Sequence, residues 1–143
     1  MPITKENSAI ETVIRDWSKA ISDKDAARVL SHLTDDIVEF SLAPPLQYNG
    51  KQVDDIQNWF DTWIGPIGND ARDIEITAGE DVAYVRSLVR MTGTKTDGQK
   101  ADLWFRQTLG LTKRDGVWKI AHTHASVPFY MDGSFKAAID LTP

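Results

Sequence analysis

Two of the three histidines in this chain lie two residues apart, in the segment Trp118-Lys-Ile-Ala-His122-Thr-His124. Side chains two residues apart on a β-strand point to the same face, so Trp118, Ile120, His122 and His124 are predicted to share one side. The bulky Trp118 and Ile120 mark that side as the core side. The pattern therefore predicts two inward imidazoles, one of which could be a general base for a carbon acid or for water. The alternative is that both histidines only support the end of the sheet.

Arg106 is the second residue that could do chemistry. Neither face of its predicted strand is purely apolar, so the pattern leaves its direction open. If Arg106 points inward, its guanidinium could hold a carboxylate or an enolate through two parallel hydrogen bonds. The alternatives are a surface arginine or an ion pair with Asp36, Glu39 or Asp102.

Aromatic side chains from several elements form a third group of candidates. They could surround a cavity and bind an apolar or cyclic molecule. For Trp17 and Trp63 a plain core role is favoured over a pocket role, whereas Tyr48 and Trp59 suit the mouth of a pocket. The predicted substrate-binding residues are Trp17, Phe40, Tyr48, Trp59, Trp63, Tyr84 and Trp104.

Metal and cofactor signatures are not found. A His-x-His pair could serve a metal together with Asp36 or Glu39, but no established metal-binding motif accompanies it. The chain also has no glycine-rich phosphate loop and no serine-nucleophile elbow. We therefore predict no metal and no cofactor, with acid–base chemistry as the mechanism if the protein is an enzyme.

Composition limits the partners and the compartment. The 143 residues suit one domain, and 41% hydrophobic with 26% charged residues is typical of a globular chain. The net charge of −5 disfavours nucleic acids and anionic membranes. There is no cysteine, the N-terminal residues contain no apolar stretch of signal-peptide length, and no run approaches the ~18 apolar residues that span a bilayer. We expect a cytoplasmic protein with a small-molecule ligand.

The order of elements predicts an α+β fold. A first helix carries an apolar stripe from Ile10 to Ile21, and either Thr4 or a capping box of Ser8 and Glu11 would start it. A curved, mostly antiparallel sheet packed by three N-terminal helices would leave a cavity between its layers. After a short second helix, we predict strand 35–40, a proline-containing loop at 41–50, helix 51–64, and strands 73–78, 82–91, 101–113 and 117–127.

This order of elements, with Asp-Asp-Ile-Val-Glu-Phe40, Arg106-x-Thr108 and Asp115-Gly-x-Trp-x-Ile-x-His-x-His-x-Ser-x-Pro128, resembles the SnoaL-like, ketosteroid-isomerase-like branch of the NTF2-like superfamily. The resemblance covers nearly the whole chain as one domain. It implies a cone-shaped fold with a pocket at one end, and usually a dimer. Because the superfamily includes isomerases, cyclases, dehydratases, hydrolases and binding domains, the fold alone implies no single activity.

The catalytic positions of the steroid isomerases carry other residues here. The tyrosine on their first helix corresponds to Trp17, which can donate a hydrogen bond but is no phenolic acid. Their general-base aspartate corresponds to Phe40 or a neighbour, and their protonated aspartic acid falls in the Arg106–Thr108 region, which has no carboxylate. Standard steroid isomerisation is therefore not expected.

Two functions remain open from the sequence. The first is an acid–base isomerase, cyclase or dehydratase with His122 or His124 as base or acid and Arg106 as electrostatic partner. The second is a non-catalytic ligand-binding or dimerisation domain with the same pocket. We expect a homodimer in either case, whose contact could come from Leu103, Phe105, Leu109 and Leu111 if these side chains point outward.

Overall fold

The computed structural model describes residues 5–143. Two helices precede the first strand, and a third lies between the second and third strands. In chain order the elements are α1 Lys5–Ser22, α2 Ala26–Ser31, β1 Leu33–Phe40, β2 Tyr48–Asn49, α3 Val53–Phe60, β3 Trp63–Ala78, β4 Val82–Lys95, β5 Lys100–Arg114 and β6 Val117–Ser126.

The strands form one curved, mixed sheet of six strands in the order β2-β1-β6-β5-β4-β3. Strands β3 to β6 are antiparallel neighbours, joined along the chain by short turns. Strand β1 runs parallel to β6, which brings the N-terminal and C-terminal strands together. The fold is thus the expected α+β fold, with one parallel pair in the sheet.

The core lies between α1 and one face of the sheet. The apolar stripe of α1 buries Ile10, Trp17 and Ala20, as its helical spacing predicts. These side chains belong to one cluster with Leu109 and Ile120. We call this face of the sheet the helix side and the opposite face the outer face. The two faces carry different groups of candidate residues.

The third helix is shorter than its apolar pattern predicts. It ends at Phe60, and the prediction that it continues to residue 64 is wrong. Trp63 and Ile64 instead begin β3, where they pair with Lys95 and Thr94 of β4. Strand β3 lies at an edge of the sheet, where Pro66 is tolerated, and its pairing is irregular between Ile64 and Gly68. Gly65-Pro66, a pair typical of a helix end, thus lies inside β3, and β3 starts ten residues before the predicted start at residue 73.

The start of α1 also differs from the expectation. The helix is already formed at Lys5, so Ser8 lies within it and does not begin a capping box. The alternative cap, Thr4, lies outside the described residues.

A β-bulge in β6 decides which way the histidines point. Leu111 of β5 pairs with Ile120 and Gly110 with His122, so Ala121 is an extra residue without a partner. Since paired residues share a face, Thr123 lies with Ile120 on the helix side. His122 and His124 lie on the outer face, and the prediction that they share the side of Trp118 and Ile120 is wrong. The extra residue shifts the two-residue alternation by one.

The apolar side chains of β5 that could supply the dimer contact if they pointed outward lie on the helix side instead. Phe105, Leu109 and Leu111 are buried, exposed by only 7%, 2% and 2% of their surfaces, and Leu103 is half-buried. Leu109 and Leu111 belong to the same buried cluster as the apolar stripe of α1, where the burial of large apolar side chains is favourable. An outward contact through them is therefore wrong.

Candidate functional site

Glu39 lies near the C-terminal end of β1, and its side chain is on the helix side of the sheet. It alternates with Ile37, which is fully buried, and is the register partner of Thr123 on β6. The Thr123 hydroxyl donates a hydrogen bond of 3.4 Å to Oε1 of Glu39. Burial raises the pKa of Glu39, and the hydrogen bond from Thr123 and the proximity of His122 only partly oppose that rise. Glu39 is therefore a better proton acceptor than an ordinary glutamate.

A small cavity lies between α1 and the middle of the sheet. Its walls include Ile14 and Trp17 of α1 and Val85, Ser87 and Gln107 of the sheet. The space open to the centre of a water molecule is about 20 Å³, which is enough for one water. None of the residues that line it is charged. Without movement of its walls, the cavity has no room for an organic ligand.

Several polar groups at this cavity have no partner. The Nε1–H of Trp17 is buried and has no acceptor among the described residues. Ser87 and Gln107 face each other in register, and neither makes a side-chain hydrogen bond within residues 5–143. A buried donor without an acceptor costs about 1–3 kcal/mol. The cavity thus offers hydrogen bonds that the protein itself does not use.

A much larger, open groove lies at the end of β1 and β6, beneath the loop at 41–47. Its volume is about 630 Å³, within the range typical of ligand pockets. The walls are mainly apolar and come from the loop, from Phe40, and from His124 and Ala125 of β6. His124 is the one ionisable residue among those that line it.

One row of paired residues across the sheet connects the groove with the cavity, and Glu39 lies in the next row. Ala125 of the groove is the register partner of Gln107 of the cavity. In the next row, Glu39 pairs with Thr123 and Thr123 with Leu109, which also lines the cavity. Two strand spacings, about 10 Å, therefore separate the Glu39 backbone from the cavity wall.

The residues singled out from the sequence are divided between the two faces. Trp17 and Trp63 are buried on the helix side. Trp59 is part of α3, with its ring 5.7 Å from that of Trp63, and the Tyr48 hydroxyl donates to the Pro44 carbonyl at 3.2 Å. Six others are brought together on the outer face by the strand registers: Phe40, Tyr84, Trp104, Arg106, His122 and His124.

The two histidines form an aromatic group with Phe40. The Phe40 ring meets both imidazoles edge-on, at centroid distances of 4.8 Å to His122 and 5.2 Å to His124. Nδ1 of His122 lies 2.6 Å from the Val38 carbonyl oxygen, which can only accept, so this nitrogen carries the proton. His122 is thus held by a backbone hydrogen bond, whereas His124 is exposed.

Arg106 forms no ion pair with Asp36, Glu39 or Asp102, the three carboxylates considered as its partners from the sequence. Asp36 pairs with Arg114 and Asp102 with Arg90, while Glu39 is on the opposite face of the sheet. The Arg106 Nε–H donates instead to the Ser126 hydroxyl at 3.2 Å.

The third histidine belongs to a separate polar cluster that joins α1 to α2. The Nε2–H of His32 donates to Asp16 at 2.6 Å, and Arg28 donates to the same carboxylate. Hydrogen bonds from Arg28 and His32 hold the pKa of Asp16 well below its usual range. Both oxygens of Asp16 are occupied, so the cluster is a structural link between the helices.

Sequence reasoning considered Glu39 only as an ion-pair partner or metal ligand. The sequence predicts His122 or His124 as the general base, and the resemblance aligns the general-base aspartate of the steroid isomerases with Phe40 or a neighbour. A weak signal was present, since Ile37 and Glu39 are two residues apart and must share a face. Val38 and Phe40, on the opposite face of β1, are apolar like Ile37. Hydrophobicity alone therefore does not show which face of the strand is buried.

Among residues 5–143, no group of three or more histidine or acidic side chains could hold a metal ion. Over the same residues, no helix is long and apolar enough to cross a membrane.

A mixed sheet packed on a long amphipathic helix, with a half-buried acid next to a residue of the groove wall, is typical of an NTF2-like fold with a candidate small-molecule site. The chain belongs to the SnoaL-like domain family, whose model matches residues 10–130. That match confirms the family expected from the C-terminal motif.

Solved structures agree with this assignment. An NTF2-like protein of unknown function from Pseudomonas putida is 28% identical, with a TM-score of 0.87 over 99% of this chain and 100% of its own. A ketosteroid isomerase-like protein from Erwinia carotovora is 23% identical, with a TM-score of 0.74 over 86% and 96%. A provisionally assigned scytalone dehydratase from Novosphingobium aromaticivorans is 22% identical, with a TM-score of 0.75 over 84% and 82%. No curated protein has a significant match.

Proposed function

We propose that this protein catalyses proton transfer on an uncharged, largely apolar small molecule, as an isomerase or dehydratase does. Glu39 is the acid–base group in this proposal. The observation that carries it is the half-buried Glu39 carboxyl, whose pKa is raised by burial. Glu39 directly precedes Phe40 of the groove wall, and its backbone lies about 10 Å from the cavity wall. A carboxylate in that environment takes a proton from a weak carbon acid more readily than a solvated one.

The cavity side chains would bind the oxygen of the substrate once the walls of the cavity move apart to admit it. Trp17 has a buried donor without an acceptor, and Gln107 and Ser87 add unpaired polar groups nearby. All three are neutral, so they suit a carbonyl or hydroxyl group better than a carboxylate. Charge that develops on such an oxygen during proton transfer is stabilised by fixed donors in a dry site.

The family comparison supports this class of reaction without identifying the substrate. The similar structures include a ketosteroid isomerase-like protein and a provisionally assigned dehydratase, both below 25% identity. Those names describe the relatives. For this chain they only make proton transfer a reasonable reaction to test first.

A direct test measures exchange of carbon-bound protons. The purified protein is incubated in D₂O with neutral cyclic ketones such as 2-tetralone and cyclohexanone, and the loss of α-proton signals is followed by NMR. We expect the wild type to accelerate exchange of at least one ketone and Glu39→Gln to lose about 10²–10⁴-fold of that acceleration. Glu80→Gln, in the exposed turn between β3 and β4, is the control and should match the wild type.

Either of two results would overturn the proposal. One is no acceleration by the wild type with any ketone. The other is unchanged exchange in a folded Glu39→Gln variant, which would remove the carboxyl group from the chemistry.

Binding without catalysis is the second candidate, favoured by the small volume of the cavity, about 20 Å³. A ligand that displaces its walls could be held without being transformed. A ligand at one hundred times its dissociation constant adds about 2.7 kcal/mol to the free energy of unfolding. A stabilising compound recovered unchanged would favour binding, and a transformed one would favour catalysis.

We also propose that the protein forms a homodimer in the cytoplasm. After β6, hydrogen bonds of 2.8 Å from Tyr130 to Lys136 and from Ala138 to Pro128 close a hairpin. This hairpin and the segment that follows it hold large apolar side chains in solvent, which is typical of an interaction surface. The exposed residues are Phe129, Met131, Phe135, Ile139 and Leu141.

Light scattering tests the dimer. We expect a mass of twice the 16.0 kDa of one chain for the wild type, and a shift toward one chain for Phe135→Ser. Val117→Ser replaces an exposed apolar residue at the start of β6, at the opposite end of that strand from the hairpin, and should leave the mass unchanged. A wild-type mass of one chain at micromolar concentration would contradict the proposal.

A further inference from the structure

Two arginines on the outer face are exceptions in this chain. Five of its seven arginines make ion pairs with carboxylates in the described structure, as Arg90 does with Asp102. Arg86 and Arg106 do not. Glu75 is the register partner of Arg86, yet no ion pair joins them within residues 5–143.

The two unpaired arginines are neighbours. Arg86 is the register partner of Thr108, and Arg106 precedes Thr108 by two residues on the same strand and the same face. Their backbones are therefore diagonal neighbours, about 7–8 Å apart. Two guanidinium groups at this separation can hold one anion between them, and both can bind its oxygens in bidentate fashion.

The row of paired residues that contains Arg86 and Thr108 continues across the sheet to the groove. Thr108 pairs with His124, and His124 pairs with Phe40. About 10 Å of sheet therefore separates the strand of Arg106 from that of Phe40, and about 14 Å separates the strand of Arg86 from it. His124 and Phe40 are walls of the apolar groove. An imidazole that can donate a hydrogen bond thus lies between a cationic pair and an apolar wall.

We propose that the outer face binds an amphipathic anion, namely an organic acid or a phosphate monoester with a hydrocarbon body. Its charged head lies between Arg86 and Arg106 over the Thr108 hydroxyl. Its hydrocarbon body passes His124 and Phe40 and enters the groove beneath the proline loop. This site is separate from the helix-side cavity, which has no charged residue in its walls and suits an uncharged ligand.

Carboxylates on the same face do not occupy the head position. Asp102 is bound by Arg90 through both of its oxygens, at 2.9 and 2.8 Å. Asp70 is the register partner of Arg90 and lies farther along β3. Glu75 is the nearest carboxylate to Arg86, and its charge would weaken binding of an anion, so a variant without it should bind more tightly.

Calorimetric titration at low ionic strength tests this site with defined probes: octanoate, octyl phosphate, acetate and octyl glucoside. We expect saturable binding of octanoate or octyl phosphate, and the tighter of the two shows whether the site prefers a carboxylate or a phosphate head group. Acetate lacks the hydrocarbon body and octyl glucoside lacks the charge, so both should bind at least about tenfold more weakly.

Single substitutions assign the binding to these residues. Arg86→Gln and Arg106→Gln should each weaken binding of the better probe by about tenfold or more. Arg90→Gln, on the same face but already paired with Asp102, should change it by no more than about twofold. Glu75→Gln should strengthen it.

Glu39→Gln separates this site from the proposed catalytic site. It removes the helix-side carboxyl group and should leave binding of the anion unchanged, whatever its effect on proton exchange. Three results would overturn the proposal: no saturable binding of either anion, equal binding of octyl glucoside, or equal loss in Arg90→Gln and Arg106→Gln.

Discussion

Replacement of Glu39 by glutamine tests the central physical claim about the helix side, that its carboxyl group is desolvated by folding. Burial raises the pKa of Glu39 above the 4.5 of an ordinary glutamate. Below pH 4.5 this carboxyl group is protonated in both the folded and the unfolded chain. Above that pH the unfolded chain releases the proton first, so the wild type loses stability relative to Glu39→Gln until pH exceeds the folded-state pKa.

The expected size follows from proton linkage. One proton bound more by the folded state changes the free energy of unfolding by at most about 1.4 kcal/mol per pH unit. With a urea m-value of about 1–3 kcal/mol/M, this slope moves the unfolding midpoint by roughly 0.5–1.4 M per pH unit. The gap between Glu39→Gln and wild type should open above pH 4.5 and become constant at high pH.

Urea unfolding followed by circular dichroism at pH values from 4 to 8 measures this gap. Glu80→Gln is the matched control, because its side chain is in an exposed turn and its gap to wild type should stay small at every pH. If Glu39→Gln is no more stable than wild type near neutral pH, or if the gap does not depend on pH, the carboxyl group is not desolvated and the reasoning fails.

Three further predictions concern the helix side. Thr123→Val removes the hydroxyl that donates to Glu39, so an NMR titration should show the pKa of Glu39 higher than in wild type. Trp17→Phe removes a buried N–H that has no acceptor, and this gain offsets about 1–3 kcal/mol of the packing energy lost with the indole ring. It should therefore destabilise the protein less than Trp118→Phe, which removes an indole N–H that is hydrogen-bonded. Urea unfolding midpoints compare the two variants. Leu109→Ala should cost about 2–5 kcal/mol of unfolding free energy, and a cost below about 0.5 kcal/mol would contradict its place in the core.

The elements with strong periodicity could be predicted from the sequence. The stripe of α1 has helical spacing, and its Ile10, Trp17 and Ala20 are buried as that spacing requires. The last two strands and the Asp115-Gly116 turn between them follow from alternation and turn chemistry. The C-terminal motif identified the family, which the match over residues 10–130 confirms.

The direction of side chains near the end of β6 could not be predicted in the same way. One unpaired residue, Ala121, reverses the alternation, and no local signal in an Ile-Ala-His-Thr-His segment marks it. The bulge depends on pairing with Gly110 and with Val38, both distant in the sequence. His122 and His124 were therefore expected inside the fold and lie on the outer face.

The sequence by itself determined the fold class, the family and the apolar stripe of α1, because periodic burial and turn chemistry act over short stretches of chain. The tertiary structure decided which face each functional group occupies. It placed Glu39 on the helix side and assembled Arg86, Arg106 and His124 on the outer face. Strand register joins residues far apart in the chain, and a shift by one residue exchanges the two faces of a sheet.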